Sequence, residues 1–438
     1  MKILKLSTNK GGGATIAAER QAVALRELGC NVKHLFIDQC WEGHELTLEE
    51  FGHNVHVKPH MPTYIKTDLL FQKYLENNRT PVSNTYMSLW KTKTEFDTQI
   101  TDYIFKNGFD VVHFHWASNL ISTELLARLS EKKLPVVITG HDMNHFTGTC
   151  HYDAGCGKHQ ELCSGCTHLE NDPYLLIEAS HREKKKAIEV AQPTYVFPSD
   201  WLNEEYKASA IGQSLGDTSS VVIRNCLDTD YFSPADPEKR VKLRNEFGFA
   251  ADEIIVVSGA ENNHEIRKGF NYFEDAVKKI NTAKFGHSNK SKIKFVAFGG
   301  GDHVLECNNP DIKYVHLGVL KEAQVRDLFR SADLLAFTSI EENFANVILE
   351  SLMCGCPVLG FDLGGIPDIV RAGINGELVI ERSERAYSSA LSKLVLNSDL
   401  HALRESTLVW RSKNSDKYSK KHIATQLLDF YHQLGGGA

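Results

Sequence analysis

The chain has 438 residues, too many for one ordinary hydrophobic core, so two domains are expected. A hydrophobic fraction of 42% with 24% charged residues is that of a soluble globular protein. The net charge of −7 leaves no basic excess for a nucleic-acid binder, and no stretch reaches the ~18 consecutive apolar residues of a membrane span.

The opening "MKILKLSTNKGGG" lacks the apolar core of a secretory signal, so the chain is expected to work in the cytoplasm, where thiols stay reduced. The strand-like "MKILKLST" leads into "ATIAAERQAVALRELG", amphipathic and closed by a glycine. Then come "VKHLFID", "DVVHFHW", "LPVVITG" and "TYVFPS". A second series follows with "EIIVVSG", "KIKFVAFG", "VHLGVL", "DLLAFTS" and "CPVLGF". Strands alternating with helical stretches predict an α/β fold of two Rossmann-like domains.

The expected division is 1–215, 216–405 and a final helical stretch, 406–438, packing back across the domains. The boundary is placed by the small, polar "AIGQSLGDTSS". Open α/β sheets bind ligands at the carboxyl ends of their strands, so two facing sheets would hold a site in the cleft between them. Residues 64–79, "YIKTDLLFQKYLENNR", read as a packed amphipathic helix or as a peripheral membrane contact. The basic run "HREKKK" (181–186) reads as a solvated helix face.

Most candidate site residues follow a strand. Gly11, Gly12 and Gly13 form a glycine-rich turn into a helix, where backbone N–H groups can approach a phosphate or a sugar. The dinucleotide spacing is absent, so this turn alone does not separate a ligand loop from a tight turn. His141, in "ITGHDMNHFTG", stands one step past a buried strand and can accept or donate a hydrogen bond to substrate hydroxyls.

After "EIIVVSG", Arg267 and Lys268 precede Gly269 and a helix. Cations at a helix N-terminus oppose the macrodipole and make sense if an anion binds there. They could stabilise a departing diphosphate without a metal. Further on, "FTSIEENFANVILESLMCGCPVLGF" carries Glu342 near a helix start and Glu350 within an apolar stretch. A carboxylate such as Glu350 must find a partner or reach water, and a ribose diol is a suitable partner.

Four of the ten cysteines, Cys150, Cys156, Cys163 and Cys166, fall within "CHYDAGCGKHQELCSGC" in an insert at 145–170. In a reducing compartment such a cluster is expected to hold a structural zinc; disulfides and free thiols are the other readings. His151, His159 or His168 could replace a cysteine as ligand.

In this order, these motifs resemble the retaining GT-B glycosyltransferases of family 4, the glycosyl transferases of group 1. Glu342 and Glu350 match that family's E-x7-E signature, and "GHD" (140–142), "FPSDWL" (197–202), "IRNCLDTDYF" (223–232) and "RKG" (267–269) extend the likeness over nearly the whole chain. The resemblance implies a GT-B fold and transfer of a sugar from a nucleotide-sugar, UDP-linked before GDP-linked, with retained anomeric configuration. The implied acceptor is a saccharide or lipid-linked oligosaccharide in surface polysaccharide synthesis.

By the same resemblance Glu350 holds the ribose, and Glu342 with the amides of Asn343, Phe344, Ala345, Asn346 and Val347 positions sugar and phosphates. Arg267 and Lys268 neutralise the diphosphate beside Gly259, His141 contacts the donor sugar, and Gly11 to Gly13 line the diphosphate. Ala260 stands where many members have arginine, and Arg267 is the replacement within reach along the chain. "DTD" (228–230) lies within the family's strand-exit pattern and is read as structural, so no divalent ion is expected in the transfer step. A sugar-nucleotide epimerase of the same fold and a non-catalytic sugar or nucleotide binder are the competing readings. Oligomeric state is not legible.

Overall fold

The computed structural model describes residues 1–40, 45–50, 53–57, 63–81, 83, 85–94, 96–280, 292–301, 305, 312–396 and 400–435. Within these, residues 37–40, 45–50, 53–57 and 63–66 are described by backbone alone. The chain divides into two compact units, Met1–Cys226 with Lys420–Ala438, and Leu227–Ser419.

The first unit is built on β1 (Lys2–Ser7), β2 (Asn31–Cys40), β3 (Glu45–Glu50), β4 (His53–Val57), β5 (Val111–His115), β6 (Val136–Thr139), β7 (Thr194–Phe197) and β8 (Ser220–Val222). They form one sheet in the order β4-β3-β2-β1-β5-β6-β7-β8. Pairing is parallel from β2 to β8, while β3 and β4 extend the β2 edge antiparallel. The sequence pattern did not anticipate β3 and β4, because "ELTLEE" and "HNVHV" carry few apolar residues. Helices cover both faces of the parallel part, so its strands are apolar on both sides. Leu4, Leu6, Val112, Phe114 and Ile138 pack on one face, and Ile3, Val32, Val111 and Val137 on the other.

The second unit holds β9 (Glu253–Asn262), β10 (Lys292–Gly300), β11 (Ile312–His316), β12 (Leu334–Ala336), β13 (Val358–Phe361) and β14 (Gly376–Val379). Every pairing is parallel, and the order β11-β10-β9-β12-β13-β14 is the doubly wound Rossmann order. Val256, Val257, Phe295 and Val296 are shielded from solvent, each contributing roughly 1.5–3 kcal/mol through burial. The order reverses between β9 and β12, so the loops leaving those two strands bound the crevice where such sheets bind ligands.

The unit boundary differs from the expected 215/216. Residues 216–222 supply a 3-10 turn and β8, whose pairing with β7 completes the first sheet. The C-terminal stretch expected as one element, 406–438, is divided as well. Helix Leu400–Asn414 ends inside the second unit, whereas helix Lys420–Gly435 belongs to the first. There Ile423, Ala424, Leu427 and Tyr431 pack with Ile3, Ala22 and Leu25.

Candidate active site

In the second unit the loops after β9 and β12 are tied together at the switch point. Arg267 N–H donates from Nη1 to the Glu341 carbonyl at 2.8 Å and lies 3.4 Å from Glu342 Oε2. Lys268 Nζ donates to the same Glu342 oxygen at 2.9 Å. Backbone bonds lock the two loops: Ile340 N–H to the Arg267 carbonyl at 2.9 Å, and Thr338 Oγ1 to the Lys268 carbonyl at 2.9 Å.

Two glycines make this approach feasible. Gly269 has φ 60°, and a Cβ there would lie 2.2 Å from the Thr338 carbonyl oxygen. Gly364 has φ 57°, and its Cβ would meet the Glu342 carbonyl oxygen at 2.3 Å. Gly259 has ordinary φ but no room, since a Cβ would sit 2.2 Å from the Phe298 carbonyl oxygen. Its need for glycine is therefore set by packing of β9 on β10.

Glu342 is mostly buried, with 12% of its side chain exposed. Burial alone would raise its pKa, but the charges of Lys268 and Arg267 and the Asn343 N–H bring it below the ordinary carboxylate value. Arg267 is shared between Glu342 and the more exposed Glu265, whose Oε1 accepts from Arg267 Nε at 2.9 Å, so the cluster as a whole is charge-balanced. Asn343, Phe344 and Ala345 are buried, and helix Asn346–Met353 begins without a side-chain cap on its first amides. N–H groups at a helix start favour phosphate oxygens.

Glu350 lies on that helix, half-buried, between the fully buried Leu349 and Ser351. The helix is thus apolar on its core side and carries the carboxylate on a partly open side. Ala260 N–H donates to Asn263 Oδ1 at 2.9 Å, so this departure from the family pattern lies in an ordered turn. The "DTD" segment also forms a turn, with Asp228 Oδ1 accepting the Tyr231 N–H at 2.9 Å.

In the first unit, Gly11 and Gly12 stand between β1 and helix Gly13–Glu27. Gly12 has φ 90°, and a Cβ on either Gly11 or Gly12 would meet nothing within 4 Å. The turn is therefore unfilled on that side, while Thr15 Oγ1 ties it back to the Asn9 carbonyl at 2.6 Å. His141 follows β6 through Gly140, whose Cβ would collide with the Phe197 ring at 2.3 Å.

His141 Nε2 lies 3.1 Å from His115 Nδ1. Burial lowers the His141 pKa to about 4, so its ring is neutral at physiological pH. Asp142 is structural: its Oδ2 accepts from Trp116 Nε1 at 3.1 Å and from His151 Nδ1 at 2.6 Å.

Sequence reasoning missed the buried basic side chains of this unit. Within "HREKKK", Lys184 and His181 are fully buried on the inner face of helix Leu176–Ala191. Lys184 Nζ donates to the carbonyls of Asn144, Thr147 and Gly148 and so pins the loop after His141. The recoverable signal was helical spacing, since His181, Lys184 and Ile188 share one face.

None of Cys150, Cys156, Cys163 and Cys166 is disulfide-bonded. Cys150, Cys163 and Cys166 join one apolar cluster with Phe71 and Leu75, and Cys163 Sγ accepts the Gly148 N–H at 3.2 Å. Among the described residues, no three His, Cys, Asp or Glu side chains are grouped to hold a metal ion. Of the histidines considered as substitute ligands, His159 instead lies between Asp153 and Glu205, each at 3.1 Å.

Residues 252–397 match the family model described as Glycosyl transferases group 1. Alpha-galactosylglucosyldiacylglycerol synthase of Streptococcus pneumoniae is 24% identical over 213 residues, covering 48% of this chain and 54% of that protein. The chain thus spans about half the length of that relative. Sucrose-phosphate synthase from Thermosynechococcus elongatus superposes over 100% of both chains with a TM-score of 0.65 at 16% identity. Anabaena HepE in complex with UDP-glucose does so over 99% of this chain and 100% of its own, with a TM-score of 0.59 at 16% identity.

The group 1 glycosyl transferase match falls within the second unit, the one that holds Arg267, Lys268, Glu342 and Glu350. The chain's α/β fold of two Rossmann-like units is the GT-B fold. The relatives are named as glycosyltransferases and synthases. In the second unit, Arg267, Lys268 and Glu342 form one hydrogen-bonded cluster. Glu350 lies on the helix that begins four residues after Glu342.

Proposed function

We propose that this glycosyltransferase moves a hexose from a nucleotide diphosphate sugar to a saccharide or lipid-linked acceptor, with retention of configuration, in surface polysaccharide synthesis. The observation that carries the proposal is the Arg267–Glu342–Lys268 cluster at the switch point of a Rossmann sheet, two cations gathered on one mostly buried carboxylate four residues before a helix start. That is a diphosphate seat, and a nucleotide is the ligand whose ribose Glu350 can accept. A UDP-sugar is favoured, with a GDP-sugar next, and HepE, the structural relative holding UDP-glucose, supports that order.

In the transfer, the C1–O bond to the diphosphate breaks as Arg267 and Lys268 take up the charge developing on the phosphate oxygen. The acceptor hydroxyl attacks C1 from the same face, and its proton passes to the departing phosphate. Glu342 holds both cations in place and orients the sugar. His141 and the turn Gly11–Gly13 keep the sugar and diphosphate contacts that the family resemblance assigns. Because two fixed cations do the work of a divalent ion, EDTA is expected to leave the rate unchanged.

The acceptor class is supported by the glycolipid named in the streptococcal relative. No described helix is long and apolar enough to cross a membrane. Leu69 and Leu70, on helix Thr63–Asn78, are exposed and would give a peripheral contact with a cytoplasmic membrane face. A structural zinc at the four cysteines is carried as part of the proposal although the thiols are not arranged to hold one. Elemental analysis of the purified chain showing one zinc per molecule would mean that the loop rearranges around it.

The first test is thermal stabilisation by UDP, GDP, ADP and CMP, with wild type and Glu350→Ala side by side. A nucleotide at ~100-fold its dissociation constant adds roughly 2.7 kcal/mol to the native state. A shift with UDP that the variant loses is expected. A shift retained in the variant would remove Glu350 from the ribose, and no shift with any nucleotide would count against a transferase. Release of the sugar without any acceptor, as an epimer, would instead identify an epimerase.

A further inference from the structure

A polar layer lies under helix Gly13–Glu27 in the otherwise apolar first unit. Lys5, in the middle of β1, is in register with His34 on β2 and His113 on β5, and His115 stands one pleat further along β5. All four are fully buried. A lysine inside a central strand costs stability unless its ammonium is given acceptors. Here the acceptors are specific: Lys5 Nζ donates to Gln21 Oε1 at 2.7 Å and lies 3.2 Å from His115 Nε2. The other nitrogen of His115 lies 3.1 Å from His141 Nε2. A chain of hydrogen bonds thus runs from β1 to the candidate site residue His141.

The direction of each bond in this chain follows from chemistry. An ammonium has three donors and no acceptor, so His115 Nε2 must accept from Lys5. A neutral imidazole carries one hydrogen, which for His115 is then on Nδ1 and is donated to His141 Nε2. His141 Nε2 is thereby an acceptor, and the hydrogen of His141 is on Nδ1. We propose that Lys5 is a positioning residue of this glycosyltransferase: acting through His115, it fixes His141 as a hydrogen-bond donor at Nδ1 and denies its Nε2 the role of a base. This rests on the reading of His141 as a contact of the transferred sugar, and it assigns the direction of that contact, toward a hydroxyl oxygen of the sugar.

The surroundings keep the chain in one state. Burial holds both His115 and His141 below the ordinary imidazole pKa, so neither ring carries a second proton at pH 6. Burial also lowers Lys5, to about 7, while the Glu19 carboxylate pulls the other way, so the ammonium predominates at pH 6. Glu19 itself is engaged by His34, whose Nδ1 lies 2.9 Å from Glu19 Oε2, and His34 Nε2 is 2.9 Å from Ser7 Oγ. His113 is held by Tyr431 OH at 2.6 Å and Thr139 Oγ1 at 2.7 Å. Lys5 is therefore the one ammonium in direct contact with His115 among the described residues.

The test is a long-range nitrogen–proton correlation spectrum of 15N-histidine-labelled full-length protein at pH 6, with His141 assigned by its loss in His141→Asn. The expected result is a protonated Nδ1 and an unprotonated Nε2 at His141. The reverse tautomer in the wild type overturns the proposal without any variant. Lys5→Met is expected to turn His141 into a mixture of tautomers and to lower kcat by roughly tenfold with donor KM unchanged, as an oriented transition-state donor is lost. Unchanged His141 nitrogens in Lys5→Met also overturn it. If Lys5→Met does not fold, His115→Phe breaks the same chain at similar volume, and the same mixture is expected. The spectrum needs no substrate. An inactive wild type with the expected tautomer would refute the transferase and leave the relay standing.

Discussion

Lys268, Arg267 and Glu342 show how three ordinary residues become a site through distance alone. With Lys268 Nζ 2.9 Å from the carboxylate, the ammonium holds Glu342 in its charged form. Lys268→Met is expected to weaken nucleoside diphosphate binding by roughly 10- to 100-fold, the worth of one charge-assisted hydrogen bond, as read by calorimetry. Binding of the corresponding nucleoside should be unchanged, because it lacks the phosphates. Glu342→Gln removes the one carboxylate that both cations share, leaving Glu265 on Arg267, so the free diphosphate should bind more tightly while kcat falls. Since Glu342 is held below the ordinary carboxylate pKa, its contribution to stability is present above that value and is lost only as the pH falls through the lowered one.

His159 behaves in the opposite sense. Burial would lower its pKa, but Asp153 and Glu205 raise it to about 9. A group raised on folding stabilises fully below its unfolded value near 6.5, and that stabilisation disappears as the pH rises through about 9. Melting temperature should therefore decline between pH 7 and 10, and His159→Gln should flatten that part of the curve. The pairing partners of His159 could not be found by spacing, because Glu205 lies on a different helix, Asp200–Ala208.

At the level of elements, the two switch-point loops depend on Gly269. It begins helix Phe270–Lys279 in a left-handed conformation and lets the Thr338 carbonyl approach. Gly269→Ala should cost roughly 2–3 kcal/mol in a denaturant titration, because a backbone clash adds to the left-handed strain. Gly318→Ala is the matched control: φ is 66° and a Cβ meets nothing within 4 Å, so only the strain of ~1–2 kcal/mol remains. A similar loss in both variants would show that the contact with Thr338 carries no weight.

Elements were legible where their chemistry was local. "MKILKLST" and "EIIVVSG" read as strands from apolar runs and are β1 and the start of β9. Strands β3 and β4 were not legible, because their pairing is specified by the free edge of β2 and by each other, not by an apolar pattern. Lys184 was hidden for a related reason. A basic run looks solvated until helix Leu176–Ala191 is seen to turn one lysine toward the carbonyls of the loop after His141.

At the scale of the whole molecule, the chain leaves the first unit after Cys226 and returns at Lys420. The returning helix Lys420–Gly435 fills the face formed by Ile3, Ala22 and Leu25, and its Tyr431 hydroxyl meets His113. Deletion of residues 420–438 should therefore unfold the first unit while leaving the second intact. Calorimetry should then show one transition lost and one kept. Loss of both would mean that the second unit depends on the first for its stability.

The sequence by itself determined the α/β class, the two series of strands, and the candidate residues of the glycosyltransferase family: Glu342, Glu350, Arg267, Lys268, His141 and the first glycine turn. These follow from periodicity and from residues whose chemistry is visible one at a time. Only the tertiary structure decided which of them touch and where the chain changes unit. It also placed Lys5 against His115 and His115 against His141. The physical reason is that a buried polar group takes its role from partners on other strands. Parallel strands bring together residues such as Lys5 and His115 that lie more than a hundred positions apart in the chain.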